Sequence, residues 1–561
     1  MATYTQRQAN GIYELTEAAR AELVDSKYFN NDLAPTSQAE RTWNTYHVSM
    51  LWVGMAICIP SFMMASNAVI LGLPVWAAVI NVILGNAIIL VPIQLNSHAG
   101  TRYGIPFPVF SRLTFGMKGA QIPTLSRAIT ACGWNAVQSL TGGAALLFIL
   151  KAIAPSFNDA SMPAQIVTFL VFMALCGWVT ANGSKAIRIF ESFSSPVLVV
   201  LSVLLIVWAI LIAQKAGYSF SDVFTSQLSA GGLEGNASYV FAFLAALNGN
   251  IAFWATIALN IPDFSRYAKS QKVQFRGQMY GMLPGMAFCA IVGAFFAQAT
   301  FLVYGEAKFN PVDALGYIND GSGGMRVLVV IVGIGVIFAT MTTNIAANIV
   351  APANGFSNVA PRKIGYKLGT LIACIVALVY YIPYILSPSF QGFMFDFLNV
   401  YGGFLAPLAS IFIIDYYFIK RRNIDVQGLY QADGRYRYSG GFNVSAVIAW
   451  IAGAILPTIY SINVAVLNAA INAQKGIIAE AAGVSVAEIS PEQAAQATEA
   501  ARASAGAATT GFVDNAGLTW INANSYLFAF FIALVVYWII MPRKHKSFLS
   551  DEQEAAMTQT A

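Results

Sequence analysis

The chain has 561 residues, of which 57% are hydrophobic and only 10% are charged. Water-soluble globular proteins carry about a quarter charged residues, so this balance excludes a single soluble core and indicates a polytopic membrane protein. The net charge of +5 is small, and the basic residues occur in short loops without a patch of interleaved aromatic side chains. No nucleic-acid partner is therefore expected.

The predicted elements begin with a polar N-terminal segment, residues 1–47, which has no short apolar stretch ending in a small-residue cleavage site. No secretory signal peptide is therefore expected. Residues 48–418 hold ten apolar runs and residues 442–541 hold two more, each meeting the roughly 20 residues that a spanning helix needs. The runs centre near residues 59, 84, 135, 172, 202, 248, 289, 338, 375, 407, 453 and 533. The sequence thus predicts an all-α polytopic membrane protein with 12 transmembrane helices.

Lysine and arginine gather on alternate connections between these spans, a bias that marks the cytoplasmic side of a membrane. The loop 419–441 and the tail 542–561 lie on that side together with the N-terminal segment. We therefore expect a multi-pass protein of the cell inner membrane with both termini in the cytoplasm. The other basic residues assigned to this side are Arg102, Arg112, Lys118, Arg127, Lys185, Arg188, Arg266, Lys269, Lys272, Arg276, Arg362, Lys363 and Lys367.

One connection on the opposite, external side is long: residues 466–524, between the eleventh and twelfth predicted spans. Its stretch ISPEQAAQATEAARASAGAATT places Ser490 as a helix cap, Pro491 at the first helical position and Gln493 where it completes a capping box. An Ala-rich helix is therefore predicted. The insertion is either a peripheral addition or a lid or partner contact.

Polar side chains inside the predicted spans stand out, because a polar group in hydrocarbon is costly unless it has a partner. In the third span, ACGWNAVQSL places Trp134 and Gln138 four residues apart, on one face of the helix. The sixth span, NGNIAFWATIALN, carries Phe253 and Trp254. Further polar or helix-breaking positions are Thr342, Thr343, Asn344 and Asn348 in the eighth span and Gly54, Cys58 and Pro60 in the first.

These residue types suit an uncharged, flat ligand. Two indoles can stack on either side of a ring, and Gln and Asn amides offer donors and an acceptor to an imide or ureide edge. Each residue also has a simpler explanation, because a membrane tryptophan can anchor or pack and a lone amide can join two helices. The hydroxyls of Thr342 and Thr343 either bond to a carbonyl one turn earlier or, with carbonyls freed at a helix break, bind Na⁺.

Several stretches match one transporter family in order and spacing. They are NNDLAPTSQAERTW, NSHAGTRYGIPFPVFSRLTFGMKGAQIPTLSRA, LNIPDFSRYAKSQ, TTNIAANIVAPANGFSN, and IDYYFIKRRNIDVQGLY with YSGGFN. From about residue 30 to about residue 465 the chain resembles the nucleobase:cation symporter family 1. The resemblance implies a leucine-transporter-like core of two inverted five-helix repeats, with the first and sixth spans broken at mid-membrane, plus two C-terminal helices. It also implies import of nucleobases, hydantoins, allantoin or related compounds with Na⁺ or H⁺.

The resemblance further implies a substrate site. In the bacterial hydantoin and allantoin transporters, the ligand is bound by a Trp and a Gln of the third span, a Trp of the sixth and an Asn of the eighth. These positions fall on Trp134, Gln138, Trp254 and Asn348, and we add the neighbouring Phe253 and Asn344 to the predicted site. One position departs from the pattern: Cys58 stands where those carriers have Gln or Asn, and a thiol is a much poorer hydrogen-bonding group.

The resemblance also implies a cation site between the first and eighth spans. In the hydantoin transporter it uses two first-span carbonyls, one eighth-span carbonyl and two eighth-span hydroxyls. The corresponding positions are Gly54, Ile57, Ala339, Thr342 and Thr343. Both hydroxyls are present here, which favours Na⁺, although relatives with similar residues use protons. No other cofactor is expected.

Three other functions stay open on the sequence. Continuous rings of polar side chains are typical of an uncoupled facilitator or channel, and the spans lack them. A membrane-embedded enzyme needs reactive groups at depth, but His47, His98 and His545 lie at or near span ends and the five cysteines show no CxxC spacing. An amino-acid carrier of the same fold needs sites for a carboxylate and an ammonium. We therefore expect that the protein is not an enzyme but a carrier of a small molecule. We expect this carrier to work as a monomer in the lipid bilayer.

Overall fold

The computed structural model describes residues 5–7, 10–154, 161–225, 235–305, 323–386, 390–484 and 489–541. Within these ranges the chain is helical almost throughout. A short antiparallel hairpin of β1 (Thr5–Arg7) and β2 (Tyr13–Leu15) precedes the first membrane helix and is an addition to the all-α prediction. The predicted tail 542–561 lies outside the described residues.

The first half of the chain forms helices that match the first seven predicted spans. The helices are α1 (Glu17–Leu23), α2 (Thr45–Ala56), α3 (Ile59–Ile70), α4 (Val75–Tyr103), α5 (Phe107–Phe115), α6 (Gln121–Ile153), α7 (Met162–Ala181), α8 (Gly183–Lys215), α9 (Phe220–Thr225), α10 (Gly235–Phe253), α11 (Ala255–Asn260), α12 (Pro262–Ser265) and α13 (Gln271–Tyr304).

The second half continues the bundle and adds two π-helical segments. The helices are α14 (Gly323–Thr343), the π segment Asn344–Ile349, α15 (Val350–Val359), α16 (Tyr366–Leu386), α17 (Phe390–Ile413), the π segment Ile414–Ile419, α18 (Val444–Ala482), α19 (Pro491–Val513), α20 (Ala516–Ala523) and α21 (Ser525–Ile540).

The described residues contain nine helices long and apolar enough to cross a membrane. Two bent helix pairs raise this count to 11 if each pair is one span: α2 with α3, bent by 55°, and α20 with α21, bent by 87°. The ninth predicted span falls on the shorter apolar segment Tyr366–Tyr381. Every predicted centre therefore lies on an apolar helix, while the count of 12 spans stays a prediction.

The break in the first predicted span follows from local sequence. Asn44 starts α2 by accepting a hydrogen bond from the His47 amide at 3.0 Å. At the other end, Ile57 and Cys58 leave helical geometry, with φ/ψ of −81°/81° and −143°/162°. Pro60 then occupies the first turn of α3, where its missing N–H costs nothing. The two halves meet at an unwound pair of residues in the middle of the membrane helix.

Helix α13 packs directly on both halves of this broken span, through positions without side chains. A Cβ added to Gly281 would lie 2.5 Å from the Ser49 carbonyl oxygen, and one added to Gly293 would lie 2.3 Å from that of Phe62. Small residues permit such close approach between membrane helices, where van der Waals contact is the main attraction. The broken span is therefore held against a continuous helix on one side.

The insertion at residues 466–524 has the helix that the sequence predicts. Ser490 caps α19: its hydroxyl accepts from the Gln493 amide at 3.2 Å, and the Gln493 side chain accepts from the Ser490 amide at 2.8 Å. Helix α18 extends to Ala482, well into the range assigned to the insertion, and α19 packs along it. The Tyr460 hydroxyl on α18 donates to the Val513 carbonyl at 2.9 Å. The insertion is thus a helical layer on α18.

Candidate functional site

The break in the first predicted span lies against the eighth. The Thr342 hydroxyl lies 2.9 Å from both the Gly54 and the Ala339 carbonyl oxygens. The Thr343 hydroxyl lies 3.3 Å from those same two oxygens and 3.1 Å from the carbonyl oxygen of Met55. Four of the five predicted cation ligands therefore meet in one cluster. Met55 adds a carbonyl that the sequence did not single out.

The fifth predicted cation ligand, Ile57, is at the break itself. Its side chain packs in one apolar cluster with Ala339 and Phe62, and its amide donates to the Val53 carbonyl at 2.9 Å. The assignment of its carbonyl to a cation stays a prediction. A break of this kind supplies what such a site needs, because carbonyls near it lack helical partners.

Cys58 is the second residue of the break in the first predicted span. Its thiol lies 3.2 Å from the Ser61 hydroxyl. Gln138 is 1% exposed, and its carbonyl oxygen has no hydrogen-bond partner among the described residues. The eighth predicted span contacts the first at Gly54 through Thr343 and the third at Asn135 through Asn344.

Aromatic rings form a buried group that joins the third and sixth predicted spans. Phe253 contacts both predicted indoles edge-on: its ring centroid is 5.8 Å from that of Trp134 and 4.9 Å from that of Trp254. Trp254 also meets Trp52 at 5.2 Å, and Trp134 meets Tyr401 at 6.4 Å. Both indoles therefore face the protein interior, at 5% and 2% exposure, and not the lipid. Trp254 itself interrupts the sixth predicted span between α10 and α11, with φ/ψ of −98°/6°.

The two predicted asparagines lie on the π segment Asn344–Ile349, which the sequence analysis did not anticipate. The side-chain amide of Asn348 donates to the side-chain oxygen of Asn344 at 3.2 Å. The side-chain amide of Asn344 donates to the side-chain oxygen of Asn135 at 2.8 Å. Asn344 thus joins the eighth span to the third, which is the simpler of its two explanations. A π segment shifts the register of side chains around the helix and is frequent at functional sites.

Arg127 was predicted to lie on a connection between spans, but the structure places it within helix α6. The residue lies within α6, seven residues before Trp134, at 1% exposure. Its guanidinium donates to the Thr256 carbonyl at 2.8 Å, the Asn260 side chain at 2.9 Å and the Ala347 carbonyl at 2.7 Å. It therefore ties the interrupted sixth span and the π segment to α6. The signal in the sequence was an arginine inside an otherwise apolar run.

A cavity of about 500 Å³ is lined by Arg20 and Arg266 and lies at the end of the bundle where the lysine- and arginine-rich connections gather, which we call the basic end. Its lining includes Val350 and Asn354, directly after the π segment, and Asp263 beyond the sixth predicted span. The Asp263 carboxylate accepts from the Phe107 amide at 3.0 Å and the Asn260 amide at 3.2 Å. Burial raises the pKa of Asp263 to about 6, against the opposing effect of nearby Arg266. The cavity therefore reaches the residues that directly follow the π segment.

Comparison with known proteins assigns the chain to a family. The family described as permeases for cytosine/purines, uracil, thiamine and allantoin matches residues 35–480. The chain belongs to this permease family. It is therefore a multi-pass membrane transporter and not an enzyme.

Two curated relatives of this permease carry substrate names. The purine-uracil permease NCS1 of Arabidopsis thaliana is 34% identical over 528 residues, which cover 92% of this chain and 78% of that protein. The allantoin permease of Bacillus subtilis is 32% identical over 438 residues, which cover 77% of this chain and 86% of that protein.

A solved structure shares the fold of this permease. Mhp1, a nucleobase-cation-symport-1 family transporter in a closed conformation with bromovinylhydantoin bound, superposes with a TM-score of 0.65 at 24% identity. The match covers 84% of this chain and 99% of Mhp1. The fold is leucine-transporter-like, as the resemblance implied.

Proposed function

We propose that this permease is a secondary active transporter that imports a neutral, planar nitrogen heterocycle with Na⁺ or H⁺. The leading substrates are uracil or a related nucleobase, hydantoin and allantoin. The observation that carries the proposal is the convergence of three spans beside Gln138. Thr343 of the eighth span contacts Gly54 next to the break of the first, and Asn344 bonds Asn135 of the third. The names of the relatives, purine-uracil permease and allantoin permease, and the bromovinylhydantoin bound to Mhp1 support the same substrate class.

In this proposal the aromatic group provides the flat surfaces of the substrate site. Trp134 and Trp254 stack on the ring, and Phe253, which contacts both, borders it. Gln138 and Asn348 bond the polar edge of the ligand, and the unpartnered oxygen of Gln138 is available for a ring N–H. Cys58 offers little hydrogen bonding, so the edge that faces it is the less polar one.

In the same proposal the cation binds between the first and eighth spans. Its ligands are the carbonyl oxygens of Gly54, Ile57 and Ala339 and the hydroxyls of Thr342 and Thr343. It holds the broken first span against the eighth in the outward-open form. Thr343 of this cluster directly precedes Asn344, which bonds Asn135 on the span that carries Trp134 and Gln138. Cation and substrate therefore stabilise one shared arrangement, and each raises the affinity for the other. Rocking of the two inverted repeats around the site then gives alternating access.

We place the transporter in the cell inner membrane as a monomer surrounded by lipid, with both termini in the cytoplasm. The basic end of the bundle, where the cavity next to Asp263 lies, is then the cytoplasmic end. The lysine and arginine bias of the connections supports this orientation.

The test is uptake by purified protein in proteoliposomes, with radiolabelled uracil, cytosine, allantoin and hydantoin and with Na⁺ and H⁺ gradients imposed separately. We expect at least one compound to accumulate against its gradient. An uncoupled facilitator would equilibrate the compound without accumulation, and an amino-acid carrier would transport none of the four.

The site residues are tested by Trp134→Ala and Gln138→Ala. Both variant proteins should reach the membrane but lose uptake, because each substitution removes a side chain that contacts the ligand in this proposal. Trp178→Ala, which changes an indole that is 69% exposed on α7, is the matched control and should transport normally. Normal transport by the Trp134 and Gln138 variants would contradict the assignment.

A further inference from the structure

Three buried asparagines form a hydrogen-bonded network beside the candidate substrate site: Asn135 on α6, and Asn344 and Asn348 on the π segment. They are 0%, 0% and 5% exposed. Within this asparagine network the Asn348 side chain donates to Asn344, and the Asn344 side chain donates to Asn135. Both hydrogen bonds therefore run in the same direction, from the residue assigned to the substrate toward α6.

Asn135 lies at the end of the network that is farthest from Asn348. It directly follows Trp134, and successive residues of an α-helix point about 100° apart around the helix axis. Its side-chain oxygen accepts from the Asn344 amide at 2.8 Å and from the Ser139 hydroxyl at 3.2 Å. Asn135 therefore contacts the π segment, whereas the ligand is assigned to the face of α6 that Trp134 and Gln138 share.

The network restricts which way round the Asn348 carboxamide lies. A carboxamide is nearly symmetric in shape, but its oxygen only accepts hydrogen bonds and its nitrogen only donates them. If Asn348 alone turned over, its oxygen would take the place of its nitrogen, 3.2 Å from the Asn344 oxygen. If Asn344 alone turned over, two oxygens would meet at its 2.8 Å contact with Asn135. Two buried acceptors that face each other are unfavourable, so Asn348 turns over only together with both other residues.

We propose that Asn135 and Asn344 are positioning residues that fix the hydrogen-bonding order of Asn348 and thereby the substrate class, an inference that rests on the function proposed above. The network uses the side-chain nitrogen of Asn348 as a donor and does not use its oxygen. The side-chain oxygen of Gln138 also has no partner among the described residues. The site therefore offers two acceptor oxygens, and it selects a heterocycle with N–H groups that pair with both.

This arrangement distinguishes between the candidate heterocycles. Uracil, hydantoin and allantoin each carry at least two N–H groups on the ring. In cytosine, the ring nitrogen that corresponds to the second N–H of uracil carries a lone pair instead. A lone pair that faces a fixed acceptor oxygen leaves both groups without a hydrogen bond, and a site built to bond an N–H rejects an analogue that lacks it. The wild-type protein therefore favours the N–H-rich compounds over cytosine.

The experiment measures selectivity by competition in proteoliposomes. Radiolabelled uracil, cytosine, allantoin and hydantoin are tested for counterflow exchange, and each unlabelled compound then competes with the one that exchanges best. The readout is the apparent affinity of the best N–H-rich compound (uracil, hydantoin or allantoin) divided by that of cytosine. A general loss of folded protein or of transport rate affects both compounds alike and leaves this ratio unchanged, so the ratio reports positioning.

Three variants act on the network without changing Asn348 or Gln138. Asn135→Leu keeps the size of the side chain but removes the acceptor, so Asn344 and Asn348 become free to turn over. The ratio should be about tenfold or more in wild-type protein and should fall by about tenfold in this variant. Asn344→Leu interrupts the network at its middle and should have the same effect. Asn135→Asp keeps an acceptor in the same place and should keep the wild-type ratio.

Asn86→Leu is the matched control. Asn86 is a fully buried asparagine on α4, and its side chain donates to the Val82 carbonyl of the same helix at 2.8 Å. This variant should keep the wild-type ratio. The proposal is overturned if wild-type protein binds cytosine as well as the other compounds, if either folded Leu variant of the network keeps the wild-type ratio, or if Asn86→Leu lowers it equally. Exchange of none of the four compounds by wild-type protein would instead refute the proposed function.

Discussion

The hydroxyls of Thr342 and Thr343 each make two kinds of contact, one within their own helix and one to another helix. Each hydroxyl lies near the Ala339 carbonyl one turn earlier, which is the ordinary behaviour of threonine in a membrane helix. Each also reaches the Gly54 carbonyl on another helix, at 2.9 and 3.3 Å. The second contact distinguishes them from Thr340, whose hydroxyl bonds only to Val336 of its own helix among the described contacts. The residue type is the same in all three threonines. Only the position of the neighbouring helix distinguishes Thr342 and Thr343 from Thr340.

At the residue scale we predict that Thr343→Ala raises the concentration of coupling cation needed for half-maximal uptake by about tenfold, or about 1.4 kcal/mol. The substitution removes a hydroxyl that contacts both Gly54 and Met55 at the break. The measurement is initial uptake as a function of external Na⁺ and, separately, of external pH. Thr340→Ala is the matched control on the same helix, and an identical cation dependence in both variants would count against the predicted cluster.

At the scale of elements, the molecule places its irregular segments together. The interruption at Trp254, through α11, and the π segment Asn344–Ile349 both pack against α6. Arg127 joins them to α6 by donating to the Thr256 and Ala347 carbonyls. Irregular backbone is tolerated in a membrane only where such partners exist, so α6 acts as the support for the site.

The external insertion provides the prediction at this scale. Ser490→Ala removes one side of the capping box and should destabilise the first turn of α19 by about 1 kcal/mol. If the insertion is a peripheral layer on α18, faster amide exchange at the start of α19 should accompany unchanged uptake. A loss of uptake alongside that local fraying would favour the alternative, a lid.

At the scale of the whole molecule, the N-terminal segment covers the basic end of the bundle. The Asn30 amide donates to the Pro361 carbonyl at 2.7 Å and to that of Ile364 at 3.1 Å. The Arg266 guanidinium donates to the Asp32 carbonyl at 3.1 Å, and the Tyr430 hydroxyl donates to that of Leu33 at 2.7 Å. The segment is therefore part of the wall of the cavity that Asp263 lines.

Asp263 makes the stability of this end dependent on pH. Burial raises the pKa of its carboxyl to about 6 from an ordinary 3.8, so the folded protein holds this proton more tightly than the unfolded chain. The resulting stabilisation is complete below pH 3.8 and is lost as the pH rises through about 6. We expect the melting temperature of detergent-purified wild-type protein to fall more steeply across this window than that of Asp263→Asn. Parallel profiles would contradict the prediction.

The sequence by itself determined the class of protein, the apolar helices and the capped helix of the insertion, because these depend on composition and on residues close in the chain. Through a specific family resemblance it also predicted a substrate site that includes Trp134 and Trp254, and that assignment stays a prediction. It did not predict that Arg127 lies within α6 and joins two other segments to it. Only the tertiary structure brought Thr342 to Gly54 and Arg127 to Ala347, because those contacts join separate helices and depend on how closely the helices pack.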